Sequence, residues 1–247
     1  MRVLLLGGTT EAAAMARALA EAGVEALYSY AGRTSTPRPQ PLPLRIGGFG
    51  GAEGLAACLR EGGFTHVIDA THPFATSISR NAVASCAAAG VPLLALERPA
   101  WAQAPGDDWT PVQDLAAAAA ALPRTPANVF LAIGRQNLDI FTGLPHRWLL
   151  RFVDPEPVPL PRASRVVDRG PFTSAGDMAL MRDHRIQIVV AKNAGGDGAR
   201  AKLDAARALR LPVVMVQRPA IPARETVASV AQAMVWLHRT PPAERGV

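Results

Sequence analysis

The sequence predicts an α/β protein of two domains, each a parallel sheet flanked by helices. Three observations carry this. Short apolar runs alternate with Ala-rich stretches of helical spacing along the whole chain, glycines close several of those stretches, and a Pro- and Gly-rich segment interrupts the alternation near the middle. At 247 residues, with 49% hydrophobic and 19% charged residues, the chain is globular and long enough for two cores.

Residues 2–6 read as the first strand, and 11–22 as a helix with Ala12, Met15, Ala16 and Leu19 on one face, stopped by Gly23. Strands are predicted over 24–29, 42–46, 66–70 and 91–96, with helices over 52–60 and 75–89 between them. Residues 99–126 read as an irregular connection carrying one short alanine helix over 115–122, and a domain boundary is placed at 123. The second alternation has strands over 129–133, 148–153, 186–191 and 213–217. Its helices begin at 134 and span 176–185, 198–209 and 227–239. Pro155, Pro157, Pro159 and Pro161 make their segment a stiff, extended loop. Both halves, 1–123 and 124–247, are expected to be Rossmann-like or flavodoxin-like, alike in architecture without a close sequence repeat.

No apolar run approaches the roughly 20 residues of a membrane span. The first strand starts directly after Met1, so a cytoplasmic location is expected. Cys58 and Cys86 lie in helical stretches, and no Cys/His cluster has metal-ligand spacing, so no metal is expected. The net charge of +6 divides as −2 over 1–123 and +8 over 124–247. A basic half invites an anionic partner, but it has no basic run and few aromatics for stacking bases. A small polycarboxylate ligand fits as well.

The first strand runs into Gly7-Gly8-Thr9-Thr10-Glu11 and then a helix. Glycines allow close approach of a pyrophosphate, and a helix N-terminus offers N–H donors and a positive dipole end. Thr9 stands where the usual pattern has a second glycine, and a Thr-capped strand–helix turn is the structural alternative. After the second strand come Arg33-Thr34-Ser35 and no acid. That set suits a 2′-phosphate, hence NADPH over NADH. Gly47, Gly48, Phe49 and Gly50 follow the third strand and suit a loop closed on a ligand. Thr71 and His72 follow the fourth, where open α/β sheets hold ligands, and His72 is a candidate proton donor or nicotinamide contact. In the second half, Lys192, one of two lysines in the chain, follows the strand over 186–191 and opens the segment Lys192-Asn193-Ala194-Gly195-Gly196 at that strand's carboxyl end. Arg165 to Phe172 reads as an arginine-rich turn before a helix.

Taken together, Gly7-Gly8-Thr9-Thr10-Glu11-Ala12, Asp69-Ala70-Thr71-His72-Pro73-Phe74-Ala75, Asp168-Arg169-Gly170-Pro171-Phe172, Lys192-Asn193-Ala194-Gly195-Gly196, Leu211-Pro212-Val213 and Gln217-Arg218-Pro219 resemble the precorrin-6A reductase family of cobalamin biosynthesis. The resemblance spans residues 4–219. It implies reduction of one double bond of the precorrin-6A macrocycle by a nicotinamide cofactor, giving precorrin-6B. The substrate is an anionic tetrapyrrole, so Arg135, Arg151, Arg169 and Lys192, with Asn193, Gly195 and Gly196, become candidates for holding its carboxylates. His72 and Lys192 become the candidate catalytic groups. A cobalt-macrocycle relative using NADH, a non-redox tetrapyrrole enzyme resembling uroporphyrinogen-III synthase, and an NADPH-sensing module are the alternatives. The oligomeric state stays open, a monomer included.

Overall fold

The computed structural model describes residues 1–31, 39–155, 157–168 and 170–241. Leu4 to Leu6 form a continuous buried apolar run because β1 (Arg2–Leu6) is covered on both faces. Val3 and Leu5 point into a core with Met15, Leu19, Tyr28, Ile68 and Trp236. Leu4 and Leu6 point the other way, against Leu55, Leu59, Phe64, Val67 and Cys86. The first layer is made by α1 (Thr10–Glu21) and α7 (Val230–Arg239), the second by α2 (Gly51–Glu61) and α3 (Thr76–Ala89).

β1 pairs in parallel with β2 (Glu25–Tyr30) on one side and β4 (His66–Asp69) on the other. With β3 (Leu44–Ile46), β5 (Leu93–Leu96) and β12 (Glu225–Val227), the sheet order is β12-β5-β4-β1-β2-β3. The second sheet contains β6 (Trp109–Val112), β7 (Asn128–Ala132), β8 (Arg147–Phe152), β9 (Ala163–Val167), β10 (Ile188–Lys192) and β11 (Val213–Val216). Its order, β6-β11-β10-β7-β8-β9, is also wholly parallel. Phe130, Leu149, Val189 and Ala191 on one face meet Met181 of α5 (Ser174–Asp183) and Leu203 of α6 (Ala201–Ala208). The expected two α/β sheets are present.

The division of the chain differs from the expected one at 123. One unit comprises Met1–Pro99 with Ala220–Val247, the other Ala100–Pro219. Residues 100–123 therefore join the second unit, contributing β6 and α4 (Leu115–Ala120), and the C-terminal segment returns to the first as β12 and α7. The charge asymmetry shrinks with it. The first unit has 11 basic and 9 acidic residues, the second 15 and 11, so the net charges are +2 and +4 rather than −2 and +8.

Three strands escape the sequence reading, β6, β9 and β12, and each is a sheet edge. Edge strands are short and half-exposed and carry no apolar run. β6 even holds Pro111, which an edge tolerates because one side of it makes no ladder bonds. The helix expected from 134 is only a 3-10 turn, Leu138–Phe141, because Gly134 and Asn137 adopt positive φ of 79° and 61°. The segment expected as a turn before a helix is β9 up to Val167, and the last helix starts at Val230, not 227.

Candidate functional site

In the first sheet the strand order reverses between β1 and β4, so their carboxyl ends flank a crevice. Thr9 joins the two lips. It is the N-cap of α1, its hydroxyl accepting the Ala12 N–H at 3.1 Å and donating to the Ala70 carbonyl at 2.7 Å. The capping alternative is thus realised, in the same residue that closes the crevice floor. The Gly7 and Gly8 positions serve different purposes. A Cβ on Gly7 would lie 2.2 Å from the Tyr28 ring, so Gly7 is small to admit Tyr28, whose hydroxyl accepts the Gly8 N–H at 2.9 Å. Burial pushes the Tyr28 phenol upward, so it stays a neutral acceptor and donor. Gly8, at φ +120°, faces open space, which is the property a cradle for a bound phosphate requires.

Glu11 lies in the first turn of α1. Burial alone would raise its carboxyl, but a bond from its own backbone N–H and the Arg98 guanidinium at 2.6 Å outweigh this and hold it below the ordinary value. Its charge at the turn is therefore balanced by Arg98, at the end of β5. Arg45, in β3, organises the glycine loop that follows the strand. It donates to the carbonyls of Gly47 (2.6 Å) and Gly48 (2.7 Å) and lies 3.9 Å from the Phe49 ring centroid. Cβ atoms on Gly47, Gly48 or Gly50 would meet nothing within 4 Å. Arg33, Thr34 and Ser35 lie outside the described residues.

After β4, Asp69 holds Thr71 by its backbone N–H (3.1 Å) and hydroxyl (2.6 Å). His72 is exposed, and its Nδ1 accepts the Phe74 N–H at 3.2 Å, so in the neutral ring the proton sits on Nε2.

The second sheet reverses between β7 and β10. Arg135 follows β7 and is exposed. Lys192 ends β10 and is half-buried. These two expected groups thus sit at neighbouring strand ends. Asn193 is buried instead, its amide donating to the Trp101 carbonyl (3.0 Å) and accepting the Trp101 N–H (2.8 Å). The Trp101 indole donates to Gly196 O at 2.8 Å, and Arg218 donates to Asn193 O and Ala194 O, both at 3.0 Å. Gly195 and Gly196, at φ 70° and 72°, give the loop its course. Asn193 therefore shapes the loop rather than facing a ligand. Arg151 also differs from expectation. Its side chain is 9% exposed, paired with Asp177 and placed 3.6 Å from the Phe172 ring centroid, so it braces α5 and the 170–172 turn and turns its charge inward. Arg169 lies outside the described residues.

Tyr28, Arg45, Arg98, Trp101 and Arg218 escape the sequence reading as supports of these loops. Except for Arg45, each acts across a separation that local patterns do not reveal. Among the described residues no group of His, Cys, Asp and Glu could hold a metal ion, and no helix is long and apolar enough to cross a membrane.

The family model for precorrin-6x reductase CbiJ/CobK matches residues 2–238. A precorrin-6A reductase of Rhodobacter capsulatus is 57% identical over 249 residues, covering 100% of this chain and 99% of the relative. One from Rhodococcus erythropolis is 50% identical, covering 96% and 97%. A cobalt-precorrin-6A reductase of Priestia megaterium is 28% identical, covering 89% and 91%. A solved structure of CobK precorrin-6A reductase superposes with a TM-score of 0.94 at 57% identity, covering 100% of both chains.

Proposed function

The chain belongs to the precorrin-6x reductase family, and on that premise we propose that it is a cytoplasmic enzyme of cobalamin biosynthesis that reduces one double bond of precorrin-6A with NADPH to give precorrin-6B. In balance, NADPH and a proton are consumed, and NADP⁺ and the dihydro macrocycle are formed. The nicotinamide, when bound, supplies the hydride.

The observation that carries the cofactor assignment is the turn from β1 into α1 at the strand-order reversal. Gly8 borders open space there, and a 12-residue helix points its N-terminus at the crevice. Gly7, Gly8, Thr9, Thr10 and Glu11 would line the pyrophosphate, with Arg98 balancing Glu11. Gly47, Gly48, Phe49 and Gly50 would border the adenosine half, and Arg33-Thr34-Ser35 would grip the 2′-phosphate. Thr71 and His72 would meet the nicotinamide half, with the Nε2–H of His72 positioned to donate a proton beside the reduced carbon. In the second unit Arg135, Arg169 and Lys192 would pair with acetate and propionate groups, and Gly195 and Gly196 would let the rim of the macrocycle approach.

An anaerobic assay with purified precorrin-6A tests this, following loss of reduced nicotinamide. NADPH is expected to be oxidised only when substrate is present, at a higher kcat/KM than NADH. An equal or better kcat/KM with NADH would overturn the NADPH assignment in favour of the cobalt-type branch. No saturable NADPH binding would overturn the reductase reading itself.

A further inference from the structure

Asp69 and Arg224 stand 155 residues apart and meet as a buried ion pair in the first unit, their side chains 1% and 9% exposed. Charges so withdrawn from water persist only where their remaining hydrogen-bonding capacity is met. Here it is met in a particular direction. Arg224 Nη1 donates to Asp69 Oδ2 at 2.9 Å, and Nη2 donates to Glu97 at 3.1 Å. The other carboxylate oxygen, Oδ1, accepts twice, from the backbone and from the hydroxyl of Thr71. A staple that merely fastened β12 to β5 would need only the Glu97 contact, since Glu97 and Arg224 flank that strand pair. The Asp69 contact reaches one strand further and continues into the loop that carries His72.

We infer that Asp69 and Arg224 are positioning residues for the 70–75 loop. Arg224 holds the carboxylate in one rotamer, and the carboxylate holds both polar groups of Thr71. Thr71 in turn sets where His72 leaves the strand, with the Phe74 N–H on His72 Nδ1 completing the turn. Both residues act through Thr71. Arg224 arrives with the chain segment that returns from the second unit just ahead of β12, so the geometry of this loop depends on that return. The catalytic part of the inference rests on the proposed role of His72, whereas the structural part does not.

Two measurements on the full chain test it. Amide hydrogen exchange reads the loop without any turnover. Arg224→Lys is expected to speed exchange at Thr71 and Phe74 by about tenfold or more, with Leu5 and Val189 unchanged. Unaltered exchange at Thr71 and Phe74 overturns the inference, as does uniform acceleration at all four positions. A kinetic cycle then separates positioning from bulk stability. Arg224→Lys is expected to lower kcat/KM roughly tenfold in the native background but less than about twofold beside His72→Gln. Equal factors in both backgrounds overturn it. Should Arg224→Lys fail to fold, the isosteric Asp69→Asn carries both measurements with the same criteria. A native chain without NADPH-dependent turnover would remove the proposed function, and the exchange result would still decide the positioning.

Discussion

The turn after β1 and the turn after β7 occupy the same place in two sheets that share the order of five strands, β5-β4-β1-β2-β3 and β11-β10-β7-β8-β9, yet they are built differently. Gly8-Thr9 leads at once into a 12-residue helix capped by Thr9. Gly134 and Asn137, both at positive φ, break the chain so that only a four-residue 3-10 turn follows β7. The first unit therefore aims a helix N-terminus at its crevice, and the second places Arg135 and Lys192 at its own. One architecture, used twice, presents a capped helix N-terminus at the strand-order reversal in one unit and two basic side chains at the reversal in the other. Function is decided by the turns and not by the sheet.

Gly8→Val forces a branched residue to φ +120° and fills the open space, and is expected to weaken NADPH binding about a hundredfold. The matching change in the second unit, Gly134→Val, should leave NADPH binding within about twofold. Titrations of both variants by nicotinamide fluorescence check this, and equal losses would show that the two turns are not specialised.

Arg33→Ala sharpens the assignment of the first unit. It should weaken NADPH by roughly thirtyfold while changing NADH less than about threefold, because only NADPH has the 2′-phosphate. Parallel competition titrations read the ratio. On the other side, Lys192→Ala is expected to raise KM for the macrocycle or lower kcat by about tenfold with NADPH affinity unchanged. Weakened NADPH binding would move Lys192 to the cofactor.

The smallest effect concerns the two buried histidines. In the first unit His66 has both ring nitrogens bonded, to Thr65 and to the Thr240 carbonyl. In the second, His146 Nδ1 takes the Ala127 N–H and Nε2 has no bonding partner among the described residues. Burial lowers both below the ordinary 6.5. The unfolded chain then binds protons more readily than the folded one. The stability these groups contribute is complete above pH 6.5 and is lost as pH falls through their lower folded values. Denaturant melts across this window should show a decline that His66→Gln flattens in part. A decline identical in His66→Gln and native chains would exclude His66 as a source.

What could be read from residues alone follows where the physics is local. Central strands β1, β4, β7, β10 and β11 announce themselves because burial on both faces demands unbroken apolar runs. The helices are visible through their 3.6-residue periodicity, and the Gly-Gly-Thr and Thr-His-Pro segments through their places at strand ends. Three of the four edge strands, β6, β9 and β12, are illegible because half-exposure removes the pattern, and Pro111 masks β6 outright. The site is legible to the same depth. Thr9, Gly8, His72, Arg135 and Lys192 fall at the two strand-order reversals as their strand ends require.

The residues alone carried the α/β class, the strand–turn–helix that opens the chain, the resemblance to the family, and the ends of the central strands to within one residue. The class, the opening turn and the strand ends arise from contacts between near neighbours or from periodicities a few residues long, whereas the family rests on the resemblance of segments spread over residues 4–219. Only the tertiary structure decided that the sixth strand of each sheet comes from outside its own βα alternation, β12 from the chain's return and β6 from the linking segment. It also decided that both units carry a small positive net charge, +2 and +4. Finally, it turned Arg151 inward to Asp177, gave Asn193 to Trp101, and brought Arg224 to Asp69. The partners of those three are 26, 92 and 155 residues away in the chain. Which charge is neutralised and which faces a ligand depends on pairings at such separations, and these exist only once the sheets have closed the distance.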